Sequence, residues 1–186
     1  MVAHDFSRLV TLACHDLRTP LATVNGFAKT LLRAGELEEG DAHFVGLIDA
    51  AAEQMNDLLD LLGLAARIES GRYEPALGEV DTLELVRSND ERVEANGSGE
   101  TVETDATAVR RSLGALAAAV LRHGGVESVV WTVRGRELEL ASVTAAAARV
   151  VTGEEPKDLG ALVARIAIER VGGSLELEGE TLRVRL

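Results

Sequence analysis

The chain has 186 residues, with 19 Lys and Arg against 31 Asp and Glu, a formal net charge of -12, 46% hydrophobic residues and a single cysteine, Cys14. One or two globular domains fit that length and composition, while so acidic a surface excludes nucleic acid and anionic membranes as natural partners. Intramolecular disulfides are excluded, no stretch approaches the ~20 apolar residues of a membrane span, and the N-terminus lacks the pattern of a signal peptide, so a cytoplasmic location is expected.

From Asp5 to Arg33 the apolar residues Phe6, Val10, Ala13, Leu17, Val24, Phe27 and Leu31 recur at spacings of three and four, the seam of a coiled-coil-like helix. Pro20 falls in the one gap and predicts a bend or loosened turn near Asp16 to Pro20. A breaker runs from Ala34 to Gly40, and Asp41 is a candidate cap for the next helix. Phe44, Ile48, Ala51, Met55, Leu58, Leu62 and Ala65 then keep the same alternation. Two such helices form a hairpin whose uncovered apolar surface is most simply buried by a second copy, giving a four-helix bundle.

Turn residues from Ser70 to Pro75 mark a linker, after which the pattern changes. A helix is expected over Thr82 to Ala95, a strand over Glu100 to Glu103, and an Ala/Leu/Arg helix capped by Asp105 and ending at His123. Strands over Ser128 to Val133 and Glu137 to Ala141 flank the turn Arg134-Gly135-Arg136. A helix over Lys157 to Val171, stopped by Gly172-Gly173, precedes a final hairpin around Gly179. Helices on one face of a mostly antiparallel sheet give the α+β class, with expected domains at 1–72 and 78–186.

The residues that carry chemistry are His15-Asp16-Leu17-Arg18-Thr19-Pro20-Leu21. With Ala13 and Leu17 on the apolar stripe, His15 points outward and Thr19 follows one turn on. An exposed imidazole titrates near neutrality and can act as a nucleophile through one nitrogen while a carboxylate, here Asp16, fixes the other. The Thr19 hydroxyl can orient a water or a phosphoryl oxygen. No charge occurs between Arg18 and Lys29, so a flat neutral face lies beside the imidazole. Thr11, Arg18, Ala22, Thr23 and Gly26 are the expected partner-docking residues. His4, His43 and His123 are read as structural, Cys14 as a packing residue, and no metal site is expected.

Phe6, Cys14-His-Asp-Leu-Arg-Thr-Pro-Leu21, Asn25-Gly-Phe27, Met55-Asn-Asp-Leu-Leu-Asp-Leu-Leu62 and Arg67-Ile-Glu-Ser-Gly71 together resemble the dimerisation and phosphoacceptor domain of bacterial sensor histidine kinases. The resemblance implies a homodimer, His15 as the phosphorylated histidine, Asp16 as its acidic neighbour, and Thr19 in dephosphorylation of the partner. It also implies that the second domain is a reduced form of the family's ATP-binding α/β sandwich.

That sandwich has required parts, and this chain departs from each. The asparagine that helps hold Mg²⁺ corresponds to Ala119. The Asp-x-Gly-x-Gly turn that reads adenine and admits the nucleotide corresponds to Thr144, Ala146 and Ala148, where alanine disfavours positive φ. The Gly-x-Gly that cradles phosphate corresponds to Asp158-Leu-Gly160, an anionic side chain where an anion should bind. Only nine residues, 149–157, remain for the lid. The expectation is a histidine phosphotransferase of the type derived from degenerate kinases, shuttling phosphoryl groups between response-regulator receiver domains through His15. It would bind no cofactor itself and rely on the receiver's Mg²⁺; a non-catalytic pseudokinase that binds a receiver or a kinase is the alternative.

Overall fold

The computed structural model describes residues 2–186 and, among side chains, those from Phe6 onward, so the reading of His4 lies outside the described residues. The chain divides into two compact units, Met1–Ser70 and Gly71–Leu186.

In the first unit α1 (Val2–Ala34) and α2 (Glu39–Glu69) form a helical hairpin. The face of α1 turned to α2 is Ser7, Cys14, Leu21 and Ala28, a strict seven-residue repeat of buried positions, and small residues there let the helices approach closely. Ala52 and Gly63 are buried on α2. Polar pairs lock the register: Arg18 Nη2 donates to Asp60 Oδ1 at 2.6 Å, Asn25 Nδ2 to Asp49 Oδ1 at 3.1 Å, and Lys29 Nζ to Glu53 Oε1 at 2.7 Å.

The stripe expected at this seam lies elsewhere. Phe6, Leu17, Val24, Phe27 and Leu31 of α1, with Phe44, Ile48, Met55 and Leu58 of α2, are exposed on the hairpin. Both stripes repeat every seven residues and sit side by side on the helix; the one richer in small residues faces α2, and the bulkier one is left open. Helix α1 runs continuously from Val2 to Ala34 with Pro20 inside it. One further expectation is corrected. The N-cap of α2 is Glu38, with no side-chain cap bond, and Asp41 sits inside the first turn, where its charge favours the helix dipole.

The second unit runs β1 (Gly78–Asp81), α3 (Thr82–Val86), β2 (Val93–Gly99), β3 (Thr101–Thr104), α4 (Ala106–Gly124), β4 (Val129–Gly135), β5 (Glu137–Leu140), α5 (Ala145–Val151), α6 (Leu159–Arg170), β6 (Ser174–Glu178) and β7 (Thr181–Arg185). A five-stranded sheet has the order β2-β4-β5-β7-β6, with β2 and β4 parallel and the rest antiparallel; β1 and β3 form a separate antiparallel pair. This is the α+β fold. Trp131, Val133, Leu138, Leu140, Leu182 and Val184 from alternate strand positions join Leu113, Leu116 and Val120 of α4 and Ile168 of α6 in one buried core. Charged positions alternate with these, and Arg183 ties β7 to β5 and β6 through Glu139 at 3.2 Å and Glu178 at 2.8 Å.

The helix expected from Thr82 ends at Val86, not Ala95. Ser88 Oγ accepts the Asp90 N–H and the Asp90 carboxylate accepts the Arg92 N–H, each at 3.0 Å, which makes a side-chain-closed turn into β2. The strand over 100–103 is shifted by one residue, to Thr101–Thr104. Asp105 caps α4, accepting the Ala108 N–H at 3.0 Å, and its other oxygen accepts the Tyr73 hydroxyl at 2.8 Å and the Ala76 N–H at 3.2 Å. Burial pushes this carboxyl up, but those donors outweigh it and hold it below the usual carboxylate range.

Candidate functional site

Cys14 is held in the α1–α2 seam and buried, and a rotation of 100° per residue carries the next side chain out of it. His15 is accordingly 78% exposed, and its Nδ1 lies 3.1 Å from Asp16 Oδ1. An ionised carboxylate only accepts, so Nδ1 donates and Nε2 keeps the lone pair directed to solvent. That is the arrangement an imidazole nucleophile needs.

Thr19, Ala22, Thr23 and Gly26 are exposed along the same side of α1. Hydroxyls at two of the threonines satisfy the helix: Thr11 Oγ1 donates to the Ser7 carbonyl at 2.8 Å and Thr23 Oγ1 to the Thr19 carbonyl at 3.2 Å. Arg18 is different in kind. It is half-buried, bound to Asp60, and its Nη2 lies 3.7 Å from where a Cβ on Gly63 would stand, so its guanidinium works in the hairpin at the border of the exposed face. Sequence reading alone missed Asp60 and Gly63; the only signal was an acidic residue on the second helix with a glycine three positions later.

In the α/β unit the six positions expected to mark a nucleotide site fall on α4, α5, α6 and the loops beside them. Ala119 is fully buried in the core of α4. Thr144 precedes α5, and its hydroxyl donates to the Gly124 carbonyl at the end of α4 at 3.2 Å. Ala146 and Ala148 lie within α5, a helix that the sequence reading did not expect and that ends at Val151, three residues into the expected lid segment. Its alanines are strong helix formers. Just before it, Ser142 holds φ +65°, a left-handed conformation uncommon for a side chain with Cβ.

Asp158 caps α6, whose Gly160 is buried. Its Oδ1 accepts the Ala161 N–H at 3.0 Å; its Oδ2 accepts from Arg122 Nη2 at 2.7 Å and Nε at 3.1 Å, and lies 3.1 Å from His123 Nε2. His123, expected only to end its helix, thus faces this carboxylate. Burial raises the Asp158 carboxyl, yet the Ala161 N–H, Arg122 and His123 together bring it below the ordinary value. Among the described residues no group of three or more His, Cys, Asp or Glu is placed to hold a metal ion, and no helix is long and apolar enough to cross a membrane.

Residues 7–71 match the His Kinase A (phospho-acceptor) domain model. Over 65 residues the chain is 37% identical to the probable sensor histidine kinase TcrY of Mycobacterium tuberculosis, a match that spans 35% of this chain and 14% of that protein. The fold is similar to the crystal structure of full-length ShkA in complex with AMPPNP, with a TM-score of 0.61 and 18% identity over 95% of this chain and 44% of that one. It is also similar to the Acinetobacter baumannii histidine kinase AdeS, with a TM-score of 0.51 and 14% identity over 92% and 96% of the two chains. The N-terminal hairpin is therefore a His Kinase A phospho-acceptor domain, homologous to that of a sensor histidine kinase, within a chain whose fold is histidine-kinase-like.

Proposed function

We propose that this chain is a dimeric histidine phosphotransferase that passes phosphoryl groups between receiver-domain aspartates through His15, without using ATP. The observation that carries the reading is the exposed His15 imidazole oriented by Asp16; it is supported by the alanines at 119, 146 and 148 and the carboxylate of Asp158, which stand where the resemblance assigns nucleotide contacts.

In the forward step the Nε2 lone pair of His15 attacks the phosphorus of an aspartyl phosphate. The N–P bond forms as the P–O bond to the aspartate breaks, and the carboxylate leaves with its electron pair. Asp16, by accepting the Nδ1 proton, keeps the imidazole in the attacking tautomer and offsets the positive charge that develops on the ring. In the return step another receiver's carboxylate attacks the same phosphorus and Nε2 leaves. Thr19 would orient the phosphoryl group or a water, and Ala22, Thr23 and Gly26 would let a receiver approach closely, with Arg18 and Thr11 at the edge of that face. Mg²⁺ would arrive with the receiver, where it would neutralise charge on the transferring group.

The open stripe of Phe6, Leu17, Val24, Phe27, Leu31, Phe44, Ile48 and Met55 supports dimerisation, because its heptad spacing suits a second hairpin and its exposure is costly in water. A nucleotide fits the α/β unit poorly. Ala119 offers no ligand atom, Ala146 and Ala148 are helical where close backbone approach would be needed, and a carboxylate occupies the start of α6. ShkA is described in complex with AMPPNP, so the fold alone does not forbid a nucleotide; the side chains here argue against it.

The test is incubation of the wild type with γ-labelled ATP and, separately, with a ³²P-phosphorylated receiver. Label from the receiver and none from ATP is expected. Label from neither would favour the non-catalytic alternative, and label from ATP would overturn the reading of the second unit.

A further inference from the structure

We infer that a cleft between β3, the β4–β5 turn and the ends of α6 and β7 binds a small branched-chain carboxylate, held by the Thr104 hydroxyl and the Arg136 guanidinium. Arg136 lies in that turn, at the opposite end of β4 and β5 from the loop leading to Thr144, so the cleft is apart from the positions that the resemblance assigns to nucleotide.

The cleft has a volume of about 230 Å³ and is lined by Val102, Glu103, Thr104, Arg136, Val171 and Leu186. That is far above the ~30 Å³ share of one water and below the ~300 Å³ at which drug-sized pockets begin, so a ligand of a few carbon atoms suits it. Val102 and Thr104 are buried alternate residues of β3 with the exposed Glu103 between them, and they share the inward face of the strand. Thr104 Oγ1 is the one fully buried hydroxyl among the described residues without a hydrogen-bond partner. Other buried hydroxyls of this unit are satisfied. Ser112 Oγ donates to the Ala108 carbonyl at 2.8 Å, and Thr82 Oγ1 donates to the Gly135 carbonyl at 2.6 Å and accepts the Glu100 N–H at 3.0 Å. A buried hydroxyl left unmet is costly, and an acceptor bound in the cleft removes that cost.

Arg136 supplies the charge. Its Nε donates to Glu100 Oε1 at 3.1 Å, which leaves both terminal nitrogens without a partner among the described residues. The backbone beneath it is fixed on both sides, since the Gly135 carbonyl accepts the Thr82 hydroxyl and the Arg136 carbonyl accepts the Leu186 N–H at 3.1 Å. A guanidinium on a fixed turn is best matched by a carboxylate. One carboxylate oxygen takes the Thr104 hydroxyl and the other an Arg136 N–H, while Val102, Val171 and Leu186 cover the hydrocarbon. Inorganic phosphate has no hydrocarbon to bury against those three.

Isovalerate is titrated into the full chain, with calorimetry and amide chemical shifts as readouts. Saturable binding with a Kd on the order of 1 mM or tighter is expected for so few atoms, with shifts gathered at residues 102–104, 136, 171 and 186. Arg136→Gln should weaken binding about tenfold and Thr104→Val about fivefold, while Thr104→Ser keeps wild-type binding. Because its hydroxyl has no protein partner, Thr104→Val should melt no lower than the wild type, and a clear fall in midpoint would overturn the inference. So would a wild type that does not saturate, binding unchanged in both variants, or inorganic phosphate bound as well as isovalerate. Should Arg136→Gln fail to fold, isoamyl alcohol tests the charge on the wild type itself, and binding equal to that of isovalerate counts equally against the site.

Discussion

His15 and Cys14 are neighbours in sequence with opposite environments, and that contrast is what prepares the imidazole. The seam fixes the helix through Cys14, so the histidine is presented on a rigid turn, and Asp16 then selects its tautomer. Asp16→Asn, which can present either a donor or an acceptor to Nδ1, is expected to slow phosphoryl transfer about tenfold, or about 1.4 kcal/mol in the barrier, while leaving helicity unchanged by circular dichroism. Two buried carboxylates make the α/β unit sensitive to acid. Asp105 and Asp158 both titrate lower in the folded chain than ordinary carboxyls do, so the unfolded chain binds more protons as pH falls. Their stabilisation is complete above the unfolded value of about 3.9 and is lost as pH drops through the folded values. Thermal midpoints measured from pH 7 down to acid should therefore fall, and Asp158→Asn should flatten part of that slope. The His-Asp-x-x-Thr string was legible because all its chemistry lies on two turns of one helix. The partners of Arg18 and Asp158 were not, because they are set by pairings across 42 and 36 residues that no local pattern encodes.

At the scale of elements, periodicity located the long helices but could not say which of two parallel stripes faces inward. Phe6, Leu17 and Val24 looked like the seam because they are large and apolar, while Ser7, Cys14 and Ala28, which do face α2, are small. Close helix approach favours the second set; the first is what a further hairpin would cover. The short elements were harder. Residues 82–95 have helical composition, yet the Ser88 and Asp90 side chains close a turn that the propensities do not reveal, and β2 starts at Val93. In that strand Gly97 sits at φ +107°, and a Cβ there would stand 2.1 Å from the Val133 carbonyl oxygen of β4. Gly97→Ala must distort the parallel pairing and is expected to cost about 1–3 kcal/mol or more, read as a lower urea midpoint. A Gly97→Ala protein as stable as the wild type would show that β2 does not pair with β4 in this register.

For the whole molecule, a His Kinase A hairpin is followed by an α/β unit in which Ala119, Ala146 and Ala148 and the Asp158–Arg122 ion pair stand at the positions that the resemblance assigns to nucleotide contacts. The open stripe on the hairpin bears on assembly. Phe27→Asp places a charge in it without touching the α1–α2 seam, and light scattering should show a dimeric wild type and a monomeric variant of unchanged helicity. A wild type that is monomeric at tens of micromolar would remove the second copy from the proposed function.

The central claim is that His15 exchanges phosphoryl groups with receivers and takes none from ATP. Its most direct measurement is the transfer of ³²P from a panel of phosphorylated receiver domains of the same organism to the full chain, with mass spectrometry locating the modified residue. Acid-labile, base-stable label on His15, absent from His15→Ala and returned to unlabelled receiver on mixing, is the expected result. Absence of label with every receiver, or equal labelling of wild type and His15→Ala, would contradict it.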